Sequence, residues 1–368
     1  MTLNKHKVRT PQTGFTLIEI MVGLAIGMLA TLIIIQVLSV FETQKRTTTG
    51  TADAQTNGNI ALYNISRELM LAGYPLVAGM SPANNMVLDS PLECTTLGFA
   101  NSVSALTSID PVTITDDSLI AGASDIITLH YGNSLRGGVP TTIIATGADI
   151  PVNSNFGCQA GDIILITNGT ACAMTSASSV AIANTVSIAD DPTTDAALNG
   201  IVVPKANLSC LGSKWDEITF SISNPTNKDA SLNRSDTSNV AGTAIVAGIV
   251  NIQAQYGISD KQSSNQITQW VDATGSWAAP SIQDRNRIKA IRIAIVARNQ
   301  KLELSDVTEP CSSLTAQAPT GLCAWEGNAA SPAPAIDLSA DAKWQKYRYR
   351  VFETIIPLRN VIWSRNAL

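Results

Sequence analysis

The 368 residues suffice for one large domain or two small ones; 45% are hydrophobic, many of them in one run near the start, and only 14% are charged. The net charge is −5, and it becomes −8 once Lys5, Lys7 and Arg9 of the first fourteen residues are set aside, which excludes the broad basic footprint of a nucleic-acid-binding domain. The abundance of Ser, Thr, Asn, Ala and Gly excludes a helical bundle and leans to strands and loops.

The chain begins with a short basic stretch, Lys5 to Arg9, followed by Pro11 and Gly14. Phe15 to Phe41 is apolar apart from Glu19, Gln36 and a few Thr, Ser and Gly. As a helix this run is about 40 Å long, enough to span a bilayer with some tilt. The cations ahead of it predict a cytoplasmic amino terminus and an exported remainder. An ordinary signal peptide does not fit, because its cleavage site follows the apolar core. Here a single glycine precedes it. A plain signal anchor does not fit either. Glu19 places a carboxylate inside the bilayer at a cost of about 3 kcal/mol, which normally marks a function.

Lys45 and Arg46 mark the outer edge of the membrane. Thr47 to Asn59 is a weak helix on propensity, and helix resumes at Ile60. Leu62, Ile65, Leu69 and Ala72 share an apolar face, with Arg67 and Glu68 off it. Gly73 and Pro75 form a stop signal. No proline lies between Pro11 and Pro75, so Gly23, Gly27 and Gly50 are the only soft points.

The remainder reads as strands and loops. Short apolar strands are predicted at 125–131 and 162–167, the second followed by the turn signal Asn168-Gly169. Residues 249–258 alternate, with Val250, Ile252, Ala254, Tyr256 and Ile258 on one face. Residues 290–298 set Ile291, Ile293 and Ile295 opposite Arg292 and Val296, and residues 347–352 alternate again. These are half-buried strands of an antiparallel sheet. Arg292, Arg348 and Arg350 make either a basic face or, on the favoured reading, a solvated or ion-paired one. Residues 175–200, 223–243 and 308–343 are expected to be exposed loops.

Six cysteines, an even number, all follow the apolar run, which favours disulfides over free thiols in an exported head. Cys311 and Cys323 flank a short loop, and a local bridge is expected. Cys158 and Cys172 flank the 162–167 strand; bridging them requires a fold-back near Gly161. Cys94 with Cys210 follows by elimination, among fifteen possible connectivities. No ligand spacing suggests zinc. Neither a phosphate-binding Walker loop nor a G-x-S-x-G elbow occurs. His130 reads as a strand residue rather than a base. Asp116-Asp117, Asp190-Asp191 and Asp260 read as solvated loop acids, since no EF-hand spacing supports calcium. No catalytic residue, metal or cofactor is expected, and the chain is not read as an enzyme.

Gly14-Phe15-Thr16-Leu17-Ile18-Glu19, behind a basic leader, resembles the class III signal of type IV pilins and type II secretion pseudopilins. The resemblance implies cleavage between Gly14 and Phe15 by a prepilin peptidase that also methylates the new amino terminus on Phe15. It implies that Glu19 neutralises a neighbouring subunit's amino terminus during assembly, consistent with the general cost of an unpaired buried charge.

Four blocks sharpen the family: Ala254 to Ile258, Lys289 to Arg298, Tyr347 to Thr354, and Pro357 to Trp363. Together with Glu68 to Tyr74 they resemble the PilW family of minor pilins. The implied fold is α+β and type IV pilin-like, with a long N-terminal helix and a large antiparallel β-sheet head with disulfide-tied loops. The implied segments are a leader (1–14), a transmembrane helix (15–41), a helix extension packed on the head (42–74) and a β-rich periplasmic head (75–368). The implied role is in type IV pilus biogenesis, priming filament assembly within a tip complex. Implied partners are other minor pilins, the major pilin, the peptidase/methylase, a PilY1-like tip adhesin, the inner-membrane platform and the membrane itself, with no nucleic acid required. The protein is expected in the inner membrane with its head in the periplasm, then at the pilus tip on the cell surface, in service of adhesion, twitching motility or DNA uptake. The alternatives are a J-type pseudopilin of type II secretion, or a head that itself binds a surface, a receptor or DNA.

Overall fold

Residues 17–69 form one helix, α1 (Leu17–Leu69). The computed structural model describes residues 14–77, 92, 94–116, 122–226 and 229–363, so the leader cations Lys5, Lys7 and Arg9, together with Asp117, lie outside the described residues. The chain divides into two units, 1–51 and 52–368.

In the first unit α1 is unbroken at Gly23, Gly27 and Gly50, so none of the expected soft points interrupts it. Every large apolar side chain from Phe15 to Phe41 is exposed. The weak segment is helical as well. Thr47, Thr48 and Thr51 each turn their hydroxyl back onto the carbonyl four residues earlier, at 2.8–3.0 Å, so these polar groups are met within the helix.

In the second unit α1 buries Ala54, Gly58, Ala61, Ile65, Glu68 and Leu69. The 4-3-4-3 spacing of the first five is a single stripe. Its members are small towards the amino end, which lets the helix approach a sheet closely. A Cβ on Gly58 would collide with the ring of Phe352. Glu68, expected off the apolar face, lies on the buried stripe because it finds polar partners there. Gly73, at φ 77°, ends the helical region, and its N–H donates to His130 O at 2.8 Å.

The strands follow in order: β1 (Thr96–Phe99), β2 (Val112–Thr115), β3 (Ile126–Gly132), β4 (Thr141–Thr142), β5 (Asp149–Pro151), β6 (Ile163–Thr167), β7 (Ala171–Ala181) and β8 (Thr185–Ile188). Then come β9 (Asn207–Gly212), β10 (Trp215–Ser223), β11 (Ser231–Asp236), β12 (Asn239–Ala247), β13 (Ile249–Ile258) and β14 (Gln269–Val271). A short helix α2 (Ile282–Arg285) precedes β15 (Ile288–Arg298); β16 (Tyr349–Pro357) and α3 (Arg359–Trp363) close the described chain. They make three sheets. One has seven strands, β4-β9-β6-β7-β8-β5 with β1 beside β7. One has five, β12-β11-β10-β3-β2, and one has four, β14-β13-β15-β16. All pairs are antiparallel except β1 with β7.

The four-stranded sheet is covered on both faces. Ile252, Ala254, Tyr256, Ile291, Ile293 and Ile295 join the α1 stripe in the main core. Val250 leaves that face, because a register shift between Ile249 and Asn251 turns it into a second cluster with Val296, Leu322 and Leu338. Leu322, Ala324, Trp325, Ala333 and Leu338 belong to the 308–343 stretch expected to be an exposed loop. It carries no named strand, yet it lays these few apolar side chains across the sheet. The other two stretches also differ from expectation. Residues 175–200 hold most of β7 and all of β8, and 223–243 hold β11 and the start of β12.

Three disulfides are present: Cys94–Cys172, Cys158–Cys210 and Cys311–Cys323. The expected pairings Cys158–Cys172 and Cys94–Cys210 are therefore corrected. The cause is strand order. β9 lies beside β6 with Ile164 facing Cys210, which brings Cys210 to Cys158. β1 lies beside β7 with Leu97 facing Cys172, which brings Cys94 to Cys172. The β6–β7 turn is also longer than two residues: Asn168 N–H meets Ala171 O at 3.2 Å, and Cys172 faces Thr167.

Candidate functional site

The amino-terminal motif has a local structural logic of its own. Thr16 precedes α1, and Glu19 reaches back to it. Glu19 Oε2 accepts from both Thr16 N–H and Thr16 Oγ1 at 2.9 Å, and Glu19 N–H lies 3.4 Å from Thr16 Oγ1. This is a capping box, which satisfies donors that no helical carbonyl can reach. The Thr-x-x-Glu spacing was readable in the sequence. Gly14 and Phe15 are exposed, and a Cβ on Gly14 would meet nothing within 4 Å. Packing within the chain therefore does not require a glycine at that position. Among the described residues α1 is the one helix long and apolar enough to cross a membrane.

The other end of α1 is fastened by polar contacts. Glu68, 6% exposed, accepts Tyr131 Oη at 2.7 Å and Arg67 Nη2 at 3.1 Å, with Arg234 Nε at 4.0 Å. Burial, and the Glu68 carboxylate next, push the Tyr131 phenol up. Asn360, in the Pro-Leu-Arg-Asn block, donates Nδ2 to the carbonyls of Met70, Leu71 and Ala72 at 3.3, 3.3 and 3.2 Å. A terminating helix leaves such carbonyls short of donors, although Leu71 O also accepts from Tyr74 N–H at 2.9 Å. Tyr74 Oη donates to Ser134 O at 2.6 Å.

Arg292, Arg298 and Arg348 are paired rather than gathered into a basic face, while Arg350 on β16 is exposed and has no acidic partner among the described residues. Arg292 bridges Glu353 at 3.0 Å and stacks on Trp325. Arg298 bridges Asp341 at 3.4 Å over the Tyr347 ring. Arg348 bridges Glu303 at 3.1 Å.

His130 is buried and serves packing. Its Nδ1 lies 2.7 Å from Asp110 O and its Nε2 3.1 Å from Glu217, and the ring stacks on Trp215. The Asp190 carboxylate accepts from Ser102 N–H at 3.1 Å and Thr175 Oγ1 at 2.8 Å; that of Asp191 accepts from Thr193. These acids tie loops together. Among the described residues no group of three His, Cys, Asp or Glu is arranged to hold a metal.

Besides Glu68, the buried acid Asp125 escaped sequence reading. Asp125 is 2% exposed; its N–H donates to Ile252 O at 2.9 Å, and its Oδ2 accepts from Ala254 N–H at 2.6 Å. It thereby extends the edge of β13 and links the sheet of β3 to that of β13. Burial, with Asp116 and Asp272 nearby, pushes its pKa up to about 8.

Residues 9–35 match the prokaryotic N-terminal methylation motif, and residues 219–360 match the family described as Type IV Pilus-assembly protein W. A solved type IV-like pilin from Thermus thermophilus is similar at 8% identity, covering 83% of this chain and 97% of that one, with a TM-score of 0.30. So loose an overlap carries no weight by itself. No curated protein sequence matches at a significant level. A methylation motif on a long apolar helix, with the second half of that helix packed on a β-rich head, defines the type IV pilin-like class. The PilW match runs from β10 through β13, β15 and β16 into α3 and includes Asn360, which donates to the carbonyls at the end of α1. The family and its fold are structural rather than enzymatic.

Proposed function

We propose that this chain is a PilW-like minor pilin that primes type IV pilus assembly as part of a tip complex. Residues 1–14 form the leader, cut between Gly14 and Phe15 by the prepilin peptidase, which then methylates Phe15. Residues 15–41 cross the inner membrane, 42–74 continue the helix against the head, and 75–368 form a periplasmic head that reaches the pilus tip. The partners are the peptidase, the membrane platform, the major pilin, other minor pilins and a tip adhesin.

The observation that carries this reading is Glu19. It is the one acid between Phe15 and Phe41, a stretch whose large apolar side chains are exposed, and among the described residues it bonds only Thr16 of its own turn. A carboxylate in hydrocarbon calls for a cation. A neighbouring subunit's freed amino terminus supplies one and fixes the register between helices.

Deleting the gene should abolish or sharply reduce surface pili while the major pilin persists in the membrane. Normal piliation would refute the proposal. Gly14→Leu should retain the leader, visible as slower gel mobility. Glu19→Ala should be cleaved yet be lost from sheared pili; incorporation at the normal level would refute the pairing role.

A further inference from the structure

Among the described residues β16 is the last strand of its sheet, and only one of its edges is paired. The register shows which backbone groups face outward. Asn299 N–H donates to Arg348 O just beyond one end of the ladder, and Leu358 N–H to Lys289 O at the other. Both contacts continue the β15–β16 register, in which Ala297 faces Arg350 and Ala290 faces Pro357. In an antiparallel ladder, residues alternate between bonding the partner strand and pointing away from it. Arg350, Phe352, Thr354 and Ile356 therefore bond β15. Tyr349, Val351, Glu353 and Ile355 turn N–H and C=O outward, where no acceptor or donor is present among the described residues.

Apart from the charges of Arg350 and Glu353, this edge carries little of the usual protection among the described residues. The ladder runs from Tyr349 to Pro357 without a bulge, β16 contains no lysine, and its one proline is the terminal residue. Ile355 is 51% exposed. Arg350 is exposed as well, and it differs from Arg292, Arg298 and Arg348 in having no acidic partner among the described residues.

The geometry points to β16 as an acceptor edge for a β-strand from a different polypeptide, one that sets a carboxylate beside Arg350. Antiparallel pairing with the β16 of a second copy does not meet that condition. If two β16 edges paired antiparallel, outward residues would face outward residues, and Arg350 would lie among Arg348, Phe352, Thr354, Ile356 and Leu358 of the copy. None of these is acidic. Glu353 projects from the other face and is already held by Arg292.

The test is amide hydrogen exchange on the full chain, isolated in detergent or purified gently from its own cells with whatever remains bound. In the isolated chain Val351, Glu353 and Ile355 should exchange fast while Phe352 and Thr354 are protected. In the native preparation the three outward amides should slow about tenfold or more. Ile355→Pro, which removes only an outward N–H, should keep the unfolding midpoint yet abolish the slowing at Val351 and Glu353. Arg350→Glu should weaken it, and Arg350→Lys should largely keep it. Equal exchange in both preparations would overturn the inference. So would slow outward amides in the dilute isolated chain, or slowing that depends only on its own concentration, which would indicate a second copy. The result is independent of whether the chain reaches the pilus, which is scored separately in sheared filaments.

Discussion

Asn360 and Asp125 show how single polar side chains set the stability of this head. Asn360 offers one amide to three helix-end carbonyls. Asn360→Ala should lower the unfolding free energy of the full chain by about 1–2 kcal/mol, the worth of one such bond plus acceptors left unmet. Asn360→Asp should be worse, because it turns a carboxylate toward carbonyl oxygens. Denaturant unfolding of the three chains gives the order, and an aspartate variant as stable as wild type would contradict the capping role. Asp125 works in the opposite sense. Its pKa is raised from 3.8 to about 8, chiefly by burial, so the folded head holds a proton that the unfolded chain releases above about pH 4. Stability should therefore fall as pH rises between about 4 and 8, by at most about 1.4 kcal/mol per unit from this one group. Asp125→Asn keeps an acceptor for Ala254 N–H and should flatten that slope in thermal melts taken across the range. Asp236 belongs to a different window. Hydrogen bonds from Ser238 and Arg234 lower its pKa to about 2, so its contribution is present above its ordinary 3.8 and is lost as pH falls toward 2.

The helix and the strands differ in how much of them the sequence revealed. The span, the motif and the stop at Gly73 were legible because each rests on local pattern. So were β13 and most of β15, whose alternation is long. The helix over 47–59 was legible only as a weak one, since propensity alone disfavours its Thr, Gly and Asn, and the approach to the sheet explains the small residues. Gly58 is the clearest case. It lies against Phe352, and its Cβ space is already taken. Gly58→Val should force the helix off the sheet and cost about 1–3 kcal/mol, the usual penalty of overpacking. Adding Phe352→Ala should restore part of the loss, giving a coupling energy between the two sites in a double-mutant cycle. Strict additivity would show that the two do not meet. Glu68 escaped sequence reading for a related reason. A charged residue is read as solvent-facing until its partners, here Tyr131 and Arg234, are brought up from distant strands.

The disulfides depend on the arrangement of the entire head, which is why two of three pairings were misread. Cys311 and Cys323 are 12 residues apart, and proximity in sequence is enough. Cys94–Cys172 and Cys158–Cys210 close 78 and 52 residues, and each requires two strands to lie side by side that no local signal joins. Residues 94–101 were given no element at all, because a four-residue strand that pairs in parallel leaves little pattern. Peptide mapping of the oxidised protein should recover 94 with 172 and 158 with 210. Finding 158 with 172 instead would mean that β1 does not lie beside β7 and that the order of the seven-stranded sheet is different. The same geometry ranks their contributions. On the chain-entropy account, removing Cys94 and Cys172 together should cost about 4–5 kcal/mol, and removing Cys311 and Cys323 about 3. Both double alanine variants can be compared by denaturant unfolding. Equal losses would mean that the long-range bridge gains nothing from its loop, because the unfolded chain already keeps β1 near β7. A larger loss for the long-range pair would mean that this bridge fixes a strand arrangement the sequence specifies only weakly.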